Sequence, residues 1–386
     1  MPKCLDTGET PVLQMKLLLT TDTIGGVWTY AMELARALAP RDVQIALATM
    51  GDPLSPDQRR QVATLDHVTV FESQYKLEWQ PDPWSDVHAA GQWLLEIEYR
   101  FHPDVVHLNG YAHGALPWRS PALVVAHSCV CSWWQAVKGE PAPPEWDRYR
   151  AAVRDGLRSV DAVVAPSAAM LAALEQAHGP LPPSRVIYNG RDSSPFRASW
   201  KEPFIFSAGR MWDDAKNLAA MARVAPQLSW PVYVAGDGAD GLTPENLHSL
   251  GRLDPASLAH WLSRASIYAL PARYEPFGLS ILEAALSGCA LVLGDIPSLH
   301  EIWSNAALYV APDDDAALAK TLDRLITDPD ARRDLAARAA ARARRYTVQR
   351  MGRAYLDLYR QLSGGSPDIF AASNATTAER ICECGS

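Results

Sequence analysis

Four charged residues carry the chemistry that this sequence suggests. Arg210 directly follows the apolar run FIFSAG, and Lys216 lies six positions on in SAGRMWDDAKNL. Glu275 and Glu283 flank a Pro-Phe-Gly turn in RYEPFGLSILEAALSG. Two cations beside a helix start suit a diphosphate, with arginine binding bidentately and lysine serving as a compact point charge. A solvated ion pair with Asp213 and Asp214 is the competing local reading. Glu275 can accept hydrogen bonds from a hydroxyl-rich ligand. The backbone N–H groups of Phe277, Gly278, Leu279 and Ser280 can face anionic oxygens, because a glycine lets the chain come close. Glu283 has a plainer alternative: Ser280 and Glu283 spell S-x-x-E ahead of Ala284, Ala285 and Leu286, the pattern of a capping box.

The first half offers softer signals. Gly25 and Gly26 separate the apolar run MKLLLTT from a stretch of helical periodicity, so N–H groups and the positive end of a helix dipole can meet a phosphate there. The two glycines are adjacent and bulky residues follow, unlike G-x-G-x-x-G, which argues against a nicotinamide-dependent oxidoreductase. His127 ends the run ALVVAH and can hydrogen-bond a ligand from a strand end, whereas His107 reads as structural. Trp28, Trp133 and Trp134 offer indole faces that can pack on the apolar face of a sugar, although aromatic residues also serve as core. The Asp-x-Asp letters at 313 and 315 and at 328 and 330 fall where helices start and read as caps, so no metal is expected.

The elements that must position these residues alternate. Apolar runs at 15–21, 43–50, 67–71, 104–110, 122–128 and 161–167 are mostly separated by helical stretches, which predicts a parallel, doubly wound sheet. The pattern restarts with RVIYNGRD at 185–192 and continues through 204–210, 230–238, 265–272, 290–295 and 307–312. The expectation is an N-terminal extension at 1–14 and a first Rossmann-like domain at 15–188. A second such domain at 189–346, a helix at 347–363 packing back on the first domain, and a mobile tail at 364–386 complete it. Ligands bind outside the carboxyl ends of such strands, so the cleft between the domains is the expected site.

A chain of 386 residues suits two domains. With 36 basic against 44 acidic residues and a formal charge of -8, nucleic acid is not an expected partner. Asp6 and Glu9 interrupt the N-terminus where a signal peptide would be apolar, and a cytoplasmic location with at most peripheral membrane contact follows. The pairs Cys129/Cys131 and Cys382/Cys384 lack C-x2-C spacing and histidine partners in sequence, so they read as reduced thiols.

Residues 204–318, with Arg210, Lys216, the pair Glu275 and Glu283, and VAPDD at 310–314, resemble glycosyltransferase family 4. The early GG, the DVVH and VVAH strand ends, APS at 165–167 and YNG at 188–190 agree in outline. The resemblance implies a GT-B fold, in which two Rossmann-like domains face each other across a cleft, and a metal-independent transfer from a nucleotide sugar with retention. It implies Arg210 and Lys216 on the diphosphate, Glu275 on donor-sugar hydroxyls, and Glu283 on the ribose. It also implies His127 beside the donor sugar, Gly25 and Gly26 under the phosphate and acceptor, and Arg252 and Leu253 near the base. UDP-glucose is the leading donor and GDP-mannose the runner-up, with a glycan or small-molecule acceptor. A non-catalytic nucleotide-sugar-binding protein is the alternative of another class.

Overall fold

The computed structural model describes residues 14–238 and 244–364. The sequence readings for residues 1–13, the tail from 365 and the cysteines 382 and 384 lie outside the described residues.

The first sheet contains β1 (Met15–Asp22), β2 (Val43–Met50), β3 (Val68–Glu72), β4 (Val105–Leu108), β5 (Ala122–Val125), β6 (Ala162–Ala165) and β7 (Ser184–Val186). Its order is β3-β2-β1-β4-β5-β6-β7, parallel throughout. Helices α1 (Gly26–Leu38), α2 (Pro56–Val62), α3 (Trp84–Phe101), α4 (Val130–Lys138), α5 (Asp147–Ser159) and α6 (Ala168–His178) accompany it. Central strands such as β4 and β5 are buried along their whole length, as a parallel sheet covered on both faces requires. Alternation divides the two faces: Leu17 and Leu19 pack with α1, and Leu18 packs with Leu94 of α3 and Val153 of α5.

The second sheet contains β8 (Glu202–Ala208), β9 (Val232–Ala235), β10 (Leu247–Ser249), β11 (Ala265–Leu270), β12 (Ala290–Gly294) and β13 (Leu308–Val310). Its order is β10-β9-β8-β11-β12-β13, again parallel. Helices α7 (Leu218–Val224), α8 (Pro255–Arg264), α9 (Leu279–Leu286), α10 (Pro297–Trp303), α11 (Asp315–Thr327) and α12 (Pro329–Ala343) surround it. The run at 185–192, read as the start of the second pattern, instead closes the first sheet as β7.

The chain then returns to the first domain. Arg191 and Thr347 form a parallel β-bridge, and α13 (Val348–Ser363) lays Met351, Tyr355, Leu358 and Tyr359 into the core beside α1. Gly352 faces Ala37 so closely that any Cβ would collide with it. Buried Tyr359 places its hydroxyl 2.6 Å from His107 Nδ1, which ties α13 to β4.

Candidate active site

The carboxyl ends of β1, β4 and β5 face those of β8 and β11. On the first domain, Asp22 ends β1 and accepts a hydrogen bond from the Ile24 N–H at 2.9 Å. Burial pushes its carboxyl up to about 7, while that N–H and the Arg210 charge across the cleft pull the other way. Gly25 follows with φ 81, a conformation that favours glycine, and the first turn of α1 opens immediately after it. A Cβ on Gly26 would lie 3.8 Å from Leu279 Cδ1, so this loop and the head of α9 are neighbours.

His127 stands at the end of β5, half-buried, with its ring edge-on to Tyr30 at 4.5 Å. Its Nε2 lies 2.8 Å from Asn109 Oδ1. Asn109 is itself fixed by donating to the Thr20 carbonyl at 2.6 Å and, through its backbone N–H, to Thr20 Oγ1 at 2.9 Å. Desolvation lowers both His127 and His107 to about 3, so both imidazoles are neutral near pH 7. Asn109 was missed by the sequence reading, although an Asn-Gly pair directly after a predicted strand end is a usable signal.

On the second domain, Arg210 follows β8 with its side chain 41 % exposed, 3.4 Å from Asp213 and 5.5 Å over the Trp212 ring. Lys216 Nζ donates to Glu275 Oε2 at 2.6 Å, and both side chains are largely covered. Asp213 does not remain in a solvated pair. Its Oδ1 accepts from the Ala215 N–H and, across the cleft, from Trp133 Nε1, each at 2.9 Å. Gly236 approaches Gly209 so closely that a Cβ would strike its carbonyl, a constraint not recognised in AGDG.

Gly278, with φ 87, is the residue from which α9 starts. The helix therefore begins at Leu279, and Ser280 lies inside it. The S-x-x-E capping box does not form: no side chain caps this end, and Ser280 Oγ instead accepts from the buried Tyr268 hydroxyl at 2.8 Å. Glu283 is buried and engaged with Arg191, whose Nε donates to Glu283 Oε1 at 2.7 Å. The same guanidinium bonds Glu33 of α1. Burial raises the Glu283 carboxyl, and Arg191 opposes that shift. Glu33 and Arg191 were absent from the sequence-derived site because their partners lie far apart along the chain.

Other expected residues fall in different settings. Trp28 is buried at 4 % exposure in the core, donating to Gln61 Oε1 at 3.0 Å, so its ring cannot line an acceptor site. Trp133 and Trp134 are half-buried on α4, edge to face at 5.8 Å. Phe277 points its ring into the core against Tyr346, leaving only its backbone toward the turn. Arg252 is exposed, and Leu253 packs on the second-domain core. The aspartates of the two Asp-x-Asp stretches are engaged elsewhere: Asp328 caps α12, Asp314 caps α11, and Asp313 and Asp315 pair with Arg273 and Arg223. Cys129 and Cys131 are free thiols, as the sequence suggests, but they do have a histidine neighbour in space that their spacing does not reveal, His178 from the end of α6.

Two parallel, helix-covered sheets with opposed carboxyl ends define the GT-B class of glycosyltransferase folds. The sequence model described as Glycosyltransferase Family 4 matches residues 24–194, and that of Glycosyl transferases group 1 matches residues 202–328. The chain belongs to glycosyltransferase family 4. Glycogen synthase of Mycobacterium tuberculosis is 31 % identical over 278 residues, which span 63 % of this chain and 66 % of the synthase. Sucrose-phosphate synthase from Thermosynechococcus elongatus has a similar structure, with TM-score 0.79, 19 % identity, and coverage of 91 % of this chain and 100 % of that one. Anabaena HepE in complex with UDP-glucose gives TM-score 0.68 at 20 % identity, covering 90 % of this chain and 100 % of HepE.

Proposed function

We propose that this protein transfers a hexose from a nucleoside-diphosphate sugar, with UDP-glucose as leading donor, to a glycan or small-molecule acceptor with retention at the anomeric carbon. The observation that carries the reading is the Lys216–Glu275 pair beside the head of α9, whose Leu279 neighbours Gly26 of the first domain, with the Arg210 charge reaching Asp22 just before the Gly25–Gly26 turn. When the bond from the anomeric carbon to the diphosphate breaks, negative charge collects on the leaving oxygen. Preorganised cations and N–H dipoles are the useful catalysts at that point. Arg210 and Lys216 supply the cations, and the first turns of α1 and α9 supply dipoles. Neutral His127, oriented by Asn109, hydrogen-bonds the donor sugar, Glu275 accepts from its hydroxyls, and Glu283, held by Arg191, faces the ribose. Departure and attack on one face let the acceptor hydroxyl pass its proton to the leaving phosphate oxygen. No separate carboxylate nucleophile is then required.

UDP-glucose follows from the family resemblance, and HepE is a protein of this fold that holds that donor. Thermal-shift measurements with UDP-glucose, GDP-mannose and ADP-glucose test the choice. A ligand at 100 times its Kd stabilises by about 2.7 kcal/mol. A shift with UDP-glucose alone is expected, and a shift confined to GDP-mannose would replace the donor. The proposed chemistry uses no metal at the phosphates. Adding Mg²⁺ or Mn²⁺ to chelator-treated enzyme should leave turnover unchanged; restoration of a lost rate would reject that part.

A further inference from the structure

Cys129 precedes α4, Cys131 lies in its first turn, and His178 closes α6. One sulfur from each cysteine and one ring nitrogen of the histidine all lie within 4.8 Å of one another. Cys129 Sγ is 3.1 Å from His178 Nε2. The three residues are 1, 7 and 6 % exposed, so the cluster is internal. Nε2 is the ring nitrogen turned to the sulfurs, and a thiol is a weak hydrogen-bond partner for an imidazole.

We propose that Cys129, Cys131 and His178 bind one Zn²⁺ ion. Two thiolates and an imidazole are the donor set that a borderline-soft, tetrahedral cation prefers. The hard cations that serve phosphates prefer oxygen ligands, which this cluster does not offer. Three protein ligands leave the fourth position to a water molecule. The cluster is separate from Arg210 and Lys216 but sits behind the donor-site loop. The Cys129 N–H donates to the Tyr274 hydroxyl at 3.2 Å, and that hydroxyl is 2.9 Å from Ser132 Oγ. Tyr274 immediately precedes Glu275, so an ion that fixes the start of α4 also fixes the seat of the loop carrying Glu275. This site does not depend on which donor the enzyme uses.

The test uses the full-length chain, stripped of metal under reducing conditions and titrated with Co²⁺ as a spectroscopic probe. One equivalent should produce an intense thiolate-to-cobalt charge-transfer band, which Zn²⁺ then abolishes by displacement. Cys131→Ser should weaken Co²⁺ binding by more than the roughly 10- to 100-fold that loss of an outer-shell partner costs. A Cys382→Ser/Cys384→Ser double variant should keep the band. Zn²⁺ should raise the Tm of the parent protein but not that of Cys131→Ser. If Cys131→Ser does not fold, the parent titration decides alone. Absence of the band in the parent protein overturns the proposal, as does an undiminished band in a folded Cys131→Ser. Isolation of the protein with a Cys129–Cys131 disulfide that persists under reducing conditions would do the same.

Discussion

Arg191 holds two buried carboxylates at once, Glu33 from the first domain and Glu283 from α9 of the second. Removing one partner from a buried ionic group leaves charge without compensation, at a cost of about 3 to 5 kcal/mol. Arg191→Met should therefore lower stability by that order in urea denaturation, and a loss under about 1 kcal/mol would show that the triad contributes little. Asp22 supports a second prediction, with the sign set by its raised carboxyl. The unfolded group ionises near 3.8 and the folded group near 7, so between those values the unfolded chain binds fewer protons and stability falls as pH rises. Asp22→Asn should remove this decline, leaving the variant relatively more stable at pH 8 than at pH 4 by up to roughly 4 kcal/mol, given 1.36 kcal/mol per unit. Parallel pH–stability curves for the two proteins would contradict it. The placement of Arg210, Lys216 and Glu275 in the segments that follow β8 and β11 was legible, because both strands are recognisable apolar runs. Arg191 was not: the contacts that give it meaning lie 158 and 92 positions away.

At the scale of elements, α9 shows why a local motif can mislead. S-x-x-E specifies a cap only if serine occupies the boundary. Here the left-handed Gly278 moves the boundary two residues earlier, and Ser280 turns to Tyr268. A Cβ at Gly278 would lie 2.6 Å from Ile281 Cδ1 in a backbone conformation that L side chains rarely adopt. Gly278→Ala should cost about 1 to 3 kcal/mol, the scale of local backbone strain. Ser280→Ala should cost no more than about 1 kcal/mol, the net value of one hydrogen bond, with helix content by circular dichroism unchanged. A larger loss for Ser280→Ala than for Gly278→Ala would restore the capping reading. The alternation of strands and helices was sufficient to find both sheets. The allegiance of β7 was not legible, because a short apolar run does not name the neighbour it pairs with. The Trp28 setting was hidden similarly, since helical spacing does not reveal which face the core takes.

Across the whole molecule, the two domains are latched by groups drawn from both sides of the cleft. Lys138 pairs with Asp214 at 2.6 Å, Ser167 donates to the Pro276 carbonyl at 2.7 Å, and Trp133 bonds Asp213. Glu301, at the fifth position of α10, accepts from the Ala168 and Ala169 N–H groups at 2.8 and 3.0 Å, and so supplies a carboxylate to the N-terminus of a helix in the other domain. A helix terminus and an acidic side chain are worth about 0.3 to 1 kcal/mol where exposed and up to about 2 kcal/mol where partly buried. Because this contact exists only when the domains are together, its free energy biases the closed arrangement by roughly 2- to 30-fold, with tenfold per 1.4 kcal/mol. Glu301→Ala should therefore raise the radius of gyration of the ligand-free protein in small-angle scattering, and a saturating donor nucleotide should bring it back. The variant should also bind donor more weakly by a similar factor, because part of the binding free energy is spent on closure. An unchanged radius and affinity would assign closure to the remaining latches, among them Tyr274, whose hydroxyl meets Ser132, Met170 and the Cys129 N–H.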